Sequence, residues 1–172
     1  MQRWRELGER VVYEGFRSVR KRRFELPNGE VGEFELLELF DSVAALALTA
    51  SQEVILVREF RPGPLAVLLE LPGGVVETGQ APVEAARSEL LEETGYAGTL
   101  HEVGTLFKDA YAANTKHVFA ATDCERVSEP ELPAFTEPVL LSLAEFRGHL
   151  QSGRLTDTDA AYRALDFLEL LA

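Results

Sequence analysis

One cysteine, Cys124, is all that 172 residues carry, and no His/Cys cluster has zinc-ligand spacing. An internal disulfide is therefore impossible, a structural zinc has no ligand set, and a reducing compartment is expected. Long apolar runs are missing too. None approaches the ~18 residues that span a bilayer, and the stretch from Met1 to Val12 is charged where a signal peptide would have an apolar centre. The expectation is a cytoplasmic chain with no membrane partner. Positive charge is also scarce: 17 Lys and Arg stand against 29 Asp and Glu, a net of -12. A nucleic-acid backbone would be repelled by such a chain, which excludes a general nucleic-acid binder. An anionic small molecule would need local help, from a metal or from a pocket of arginines.

What the chain does have is hydrophobic content of 46%, enough for one domain with a sizeable core. Residues 11 to 40 alternate about Pro27-Asn28-Gly29, and Val19 to Leu26 with Val31 to Phe40 read as a hairpin. Its basic run, Arg17, Arg20, Lys21, Arg22 and Arg23, is expected to be a solvated strand face. Val43 to Ala50 and Val54 to Phe60 read as paired core strands, and Leu65 to Leu71 as a third apolar run stopped by Pro72-Gly73-Gly74. Pro82 to Thr94 reads as a helix, with proline in its first turn, Val83, Ala86 and Leu90 on one arc, and Gly95 past its end. Strands are expected at Thr99 to Phe107, His117 to Ala121 and Val139 to Leu143. Helices are expected at Leu143 to Ser152 and from about Asp157 to Leu171. Strands, a helix, strands and then helices imply a mixed α/β sandwich.

The chemistry concentrates between Gly73 and Tyr96. At 100° per residue, Glu89, Glu92 and Glu93 fall at about 0°, -60° and +40° on the helix, one acidic face. Like charges this close weaken a helix by a few tenths of a kcal/mol per pair, which invites a cation. Hard divalent ions prefer oxygen ligands, making Mg²⁺ or Mn²⁺ the first candidates. On its own such a cluster is an ordinary solvated face; its setting is what makes it specific. The stretch resembles the Nudix box, a glycine, five residues, Glu, seven residues, then Arg-Glu-apolar-x-Glu-Glu-x-Gly-apolar. Gly74, Glu89, Leu90, Glu92, Glu93, Gly95 and Tyr96 stand in register, while Gln80 replaces the first Glu and Ser88 the Arg.

The resemblance implies a Nudix α/β/α sandwich of mixed sheets, an α/β fold, with an N-terminal β-region over residues 1–42 and the hydrolase domain over 43–172. It further implies that Glu89, Glu92 and Glu93 hold the metals with the backbone carbonyl of Gly73, and that these glutamates are the catalytic residues, Glu89 doubling as a candidate base. The branch most resembled is that of the ADP-ribose pyrophosphatases. The likeness runs through Tyr13 to Ser18, Val57-Arg58-Glu59-Phe60-Arg61 and Leu69 to Gly74. By that likeness Arg61 helps bind substrate, an aromatic near Phe16 stacks on the base, and the β-region joins a homodimer. Several branch features are absent. Leu36 and Leu37 stand near a branch arginine, the loop from Asp109 to Asn114 replaces a small Ser-Pro-Gly loop, and Glu131 and Glu137 are the remaining candidates for a water-orienting carboxylate. His101, His117 and His149 lie apart and read as structural or surface residues. Two functions stand on these residues. One is a metal-dependent pyrophosphohydrolase of a nucleoside diphosphate linked to another group, ADP-ribose or a related ADP- or NDP-sugar. The other is a weakened or inactive nucleotide-binding module, for which Gln80 and Ser88 speak.

Overall fold

The computed structural model describes residues 2–131 and 136–171, which leaves Leu132 and Pro133 of the expected proline-rich loop outside the described residues. The chain forms two compact units, one made of residues up to Asp41 with Phe107–Thr115, the other of Ser42–Leu106 with the chain from Lys116 onward.

The first unit is an antiparallel sheet in the order β1 (Arg5–Tyr13), β2 (Ser18–Glu25) and β3 (Val31–Glu38). The expected hairpin is β2 and β3. Its turn closes by a Gly29 amide to Leu26 carbonyl bond of 2.9 Å, with Gly29 at φ 84° where only glycine is unstrained. Period-2 alternation puts Phe24 and Phe34 on one face, 5.9 Å apart, and Trp4 packs on both. Strand β1 is longer than the alternation suggested, because register shifts at Glu6/Gly8 and Val11/Tyr13 break its period. The basic run of β2 is neutralised within this sheet. Arg20 pairs with Glu9 and Glu38, Lys21 with Glu35, Arg22 with Glu9, and Arg23 with Glu33.

The second unit is built on a mixed sheet. Its elements are β4 (Ser42–Thr49), β5 (Glu53–Arg61), β6 (Ala66–Glu70), α1 (Pro82–Thr94), β7 (Tyr96–Phe107), β8 (Thr115–Arg126), β9 (Glu137–Ser142), α2 (Leu143–Gln151) and α3 (Thr158–Phe167). The order is β6-β5-β4-β8-β7, with β9 paired to β5. β4 runs parallel to β8 and antiparallel to β5. Every residue of β4 from Val43 to Leu48 is buried, which a strand achieves only when both faces are covered. Ala44, Leu46 and Leu48 face Phe146 of α2 and Ala160, Ala161, Ala164 and Leu165 of α3. Val43 and Ala45 face Ala85 and Ala86 of α1, and Ala47 lies with Leu90. This is the α/β/α sandwich that the sequence implied.

Helix α1 keeps its expected bounds, with proline in its first turn and Gly95 past its end, but of the expected arc only Ala86 and Leu90 are buried; Val83 is exposed and Ala85 takes its place in the core. Helix α3 stops at Phe167, short of the expected Leu171: the Leu168 amide bonds back to Ala164, and Glu169 takes a left-handed φ of 57°. Buried Lys116 of β8 is held by Asp157 at the head of α3, so a charge inside this unit is paired rather than exposed.

Candidate active site

The loop after β6 is laid along β4. The Ala45 amide donates to the Pro72 carbonyl and the Val43 amide to the Gly74 carbonyl, both at 2.9 Å. In an extended chain, alternate residues turn their polar groups to opposite edges. Gly73 turns its N–H away from β4, and that N–H donates to Glu93 Oε2 at 2.9 Å. Gly73 is needed for this approach, and Gly74 leaves room for the Glu89 carboxylate. A Cβ on Gly73 would sit 2.3 Å from the Val43 carbonyl oxygen, and one on Gly74 only 1.9 Å from Glu89 Oε1. Glu89 and Glu93 thus press against a stretch of chain that has no side chains to give way.

Loop and helix are joined by a tight turn. The Gln80 amide donates to the Glu77 carbonyl at 3.0 Å, and the Glu77 amide donates to the side-chain oxygen of Gln80 at 3.1 Å. Gln80 therefore closes its own loop, a task that glutamate's oxygen does equally well. Helix α1 ends at Gly95, whose φ of 75° and close approach to the Ser128 carbonyl, 2.3 Å from a Cβ placed there, demand glycine. Ser88 is half-buried, and Arg87 beside it is exposed, turned about 100° around the helix.

Three carboxylates gather at this wall from two elements. Burial pushes the Glu93 carboxyl up to about 8; the Gly73 N–H opposes this, Glu89 and Glu59 add to it, and Arg61 offsets part. Glu89 is raised by burial and then by Glu92, which is itself exposed. Glu59, on β5, is raised by burial, lowered by Arg61 and raised by Glu70. Arg61 meets Glu59 at 2.7 Å, while its Nε is buried without a hydrogen-bond partner among the described residues. Glu70 is fully buried and takes the Thr156 amide at 3.1 Å.

Of the residues named from sequence, Glu89, Glu93, Gly73 and Arg61 come together here, and Glu92 lies at the edge. Phe16 belongs to the first unit, where it is 73% exposed and packs on Phe40 at 5.6 Å. Glu131 is exposed, its amide on the Glu92 carbonyl at 2.7 Å, and Glu137 pairs with Arg58. His101 bonds Thr122 at 3.1 Å and His149 the Leu69 carbonyl at 2.8 Å. Glu59 was not singled out by sequence, although its i, i+2 relation to Arg61 on a strand was the available signal.

A divalent cation fits the chemistry of these donors. They are carboxylate and carbonyl oxygens, hard ligands held in the side-chain-free cradle of Gly73 and Gly74, with two partly buried glutamates whose proximity disfavours their charge. Among the described residues, no three His, Cys, Asp or Glu side chains already form a cage. Glu89 and Glu93 are half-buried at this wall, and Glu92 is exposed at its edge.

Residues 38–163 match the NUDIX domain family. Over 151 residues, 85% of this chain and 81% of the relative, the sequence is 32% identical to ADP-ribose pyrophosphatase of Bacillus subtilis (strain 168). Over 172 residues, 98% of this chain and 84% of the relative, it is 28% identical to CMP-5'-(N-acetyl-N-hydroxy-3-aminopropyl)phosphonate hydrolase of Streptomyces rubellomurinus. The fold superposes on the crystal structure of an ADP compounds hydrolase with a TM-score of 0.82, covering 98% of this chain and 96% of that one at 22% identity. Nudix hydrolases generally use divalent metal cations. With the box loop, its acidic helix and the sandwich that carries them all in place, this chain belongs to the Nudix hydrolase family.

Proposed function

We propose that the chain hydrolyses the phosphoanhydride of a nucleoside diphosphate joined to another group, with ADP-ribose or a related ADP- or NDP-sugar as its substrate class, in a reaction dependent on Mg²⁺ or Mn²⁺. The observation that carries this reading is the Glu93 carboxyl drawn onto the N–H of Gly73, where only glycine fits against β4, beside Glu89. The likeness to an ADP-ribose pyrophosphatase over most of both chains supports the substrate class.

Each residue has a part in this reading. Glu89, Glu92 and Glu93 would supply anionic ligands, and the Gly73 carbonyl a neutral one. A bound divalent cation neutralises the diphosphate and makes an attacking water more acidic. Arg61 offers its guanidinium to a phosphate, and Phe16 offers an aromatic face to a base. The Gly73 N–H fixes one Glu93 oxygen, so the other is the one free for a ligand. The products are a nucleoside monophosphate and a phosphorylated second group. Residues 1–42 serve as a dimerisation region of the 43–172 hydrolase domain, in a homodimer. What supports this is that β1 is exposed along its whole length, with Trp4, Leu7, Val11, Val12 and Tyr13 open to solvent, more apolar surface than a three-stranded sheet can hide alone.

Four outcomes test the proposal. In a screen of ADP-ribose, other nucleoside diphosphate sugars, dinucleoside polyphosphates and nucleoside triphosphates with Mg²⁺ or Mn²⁺, at least one compound linked through a diphosphate is cleaved, and Glu93→Gln slows that reaction at least ~100-fold with an unchanged circular dichroism spectrum. No cleavage of any compound would leave the nucleotide-binding module in its place.

The second outcome concerns pH in the absence of metal. The Glu93 carboxyl, ordinarily near 4.5, sits at about 8 in the fold, so its neutral form is favoured by folding. Its contribution is complete below pH 4.5 and is lost as pH rises towards 8. In EDTA, the urea midpoint should fall between pH 5.5 and 8.5, less steeply in Glu93→Gln; an equal slope in both proteins would show that Glu93 is not desolvated.

Thirdly, the double change Gln80→Glu with Ser88→Arg keeps the Glu77 turn and adds a charge and a cation beside the acidic face. Steady-state kinetics should show kcat/KM up roughly 10-fold, about 1.4 kcal/mol, at a lower Mg²⁺ requirement. A slower double variant would show the two residues to be adapted to this site. Finally, sedimentation at micromolar concentration should give a dimer, and a charge introduced by Val12→Glu should shift it to monomer.

A further inference from the structure

Glu59 and Arg61 stand two apart on β5, so their side chains leave the same face, and they meet at 2.7 Å through Arg61 Nη2. A guanidinium captures a phosphate best through two parallel N–H groups, and Nε with its neighbouring Nη is one such fork. Here Glu59 lies against the Nη2 arm as an ion pair, and the Nε arm is buried with no hydrogen-bond partner among the described residues. The fork is half occupied, and by a carboxylate that carries the same charge as a phosphate. Arg61 also lies close enough to Glu93 to act on its charge, and Glu59 does too, so the pair belongs to the wall where the acidic helix meets β5. A cation wholly free at this wall would attract any anion, whereas one held by Glu59 is aimed and partly cancelled.

We propose that Glu59 is a positioning residue that aims the Arg61 guanidinium and restrains its grip on phosphate, so that a diphosphate must take the Nη2 arm from Glu59 to be held by both. The inference rests on the hydrolase reading for the identity of the ligand, a nucleoside diphosphate, and goes beyond it in assigning Glu59. Exchange of one anionic acceptor for another is close to neutral in energy. Affinity in the parent protein therefore comes mainly from the rest of the substrate and from its cation, which favours larger diphosphate compounds over free phosphate.

The test is calorimetric titration of ADP into the full chain in EDTA, for the parent, Glu59→Gln and Glu59→Ala. Glutamine retains an acceptor for Nη2 but no charge, and a neutral hydrogen bond is weaker than a charged one by about 1 kcal/mol, or roughly fivefold in affinity. ADP should bind Glu59→Gln about fivefold tighter than the parent. Glu59→Ala, which frees the charge and loses the aim, should fall between the two. With the best compound from the substrate screen, the Glu59→Gln change should appear more in KM than in kcat. In an Arg61→Ala background, Glu59→Gln should have no effect on ADP affinity.

Tightening that persists without Arg61, no tightening in Glu59→Gln, or no measurable ADP binding by any of the proteins would overturn the inference. Equal affinity of the Gln and Ala variants would overturn the positioning role. Because ADP binding in EDTA needs no turnover, a protein that cleaves nothing sinks the hydrolase reading and leaves this measurement standing. An active enzyme with indifferent Glu59 variants sinks only the inference.

Discussion

The contact on which the site depends is the bond from the Gly73 N–H to the Glu93 carboxylate. It exists because three separate features coincide: β4 claims the carbonyls on either side of Gly73; glycine at 73 lets the loop lie directly on the Val43 carbonyl; and Ala85 and Ala86 let α1 lie close on Val43 and Ala45. Larger residues at any of these places would hold the acidic face off the loop, leaving its carboxylates in water as an ordinary charged surface.

Close packing has an electrostatic consequence. Glu89 and Glu93 lose solvent while facing each other, and Glu59 approaches from β5, so the wall is costly to ionise as built. Arg61 and one backbone N–H are the opposing influences at Glu93. A site of this kind gains stability from whatever binds its charged form, so a cation bound there would stabilise the fold.

The basic residues show how position outweighs number. Arg20, Lys21, Arg22 and Arg23 are the densest positive run in the sequence, yet each has a glutamate partner in the first unit. Arg61 has only Arg58 as a basic neighbour on its strand, is paired with Glu59, and lies close enough to the acidic wall to act on Glu93. Pairing across strands, which decides which charges cancel, brings together residues far apart in the chain, such as Arg20 with Glu9 and Glu38.

The sequence alone determined the local features: the Asn28-Gly29 hairpin, the bounds of α1, the continuous burial of β4 and the shared helical face of Glu89, Glu92 and Glu93. Each of these depends on spacing and backbone preference within a few residues, which is information a linear chain carries. Strand β1 was legible only in part, because its bulges break the period that marks a strand. The tertiary structure decided which of the three glutamates is desolvated, that Gln80 closes its own turn, and that Glu59 holds Arg61 beside Glu93. Those outcomes turn on how closely a helix, a loop and a strand approach in space, and burial and Coulomb energy vary with that distance rather than with separation along the chain.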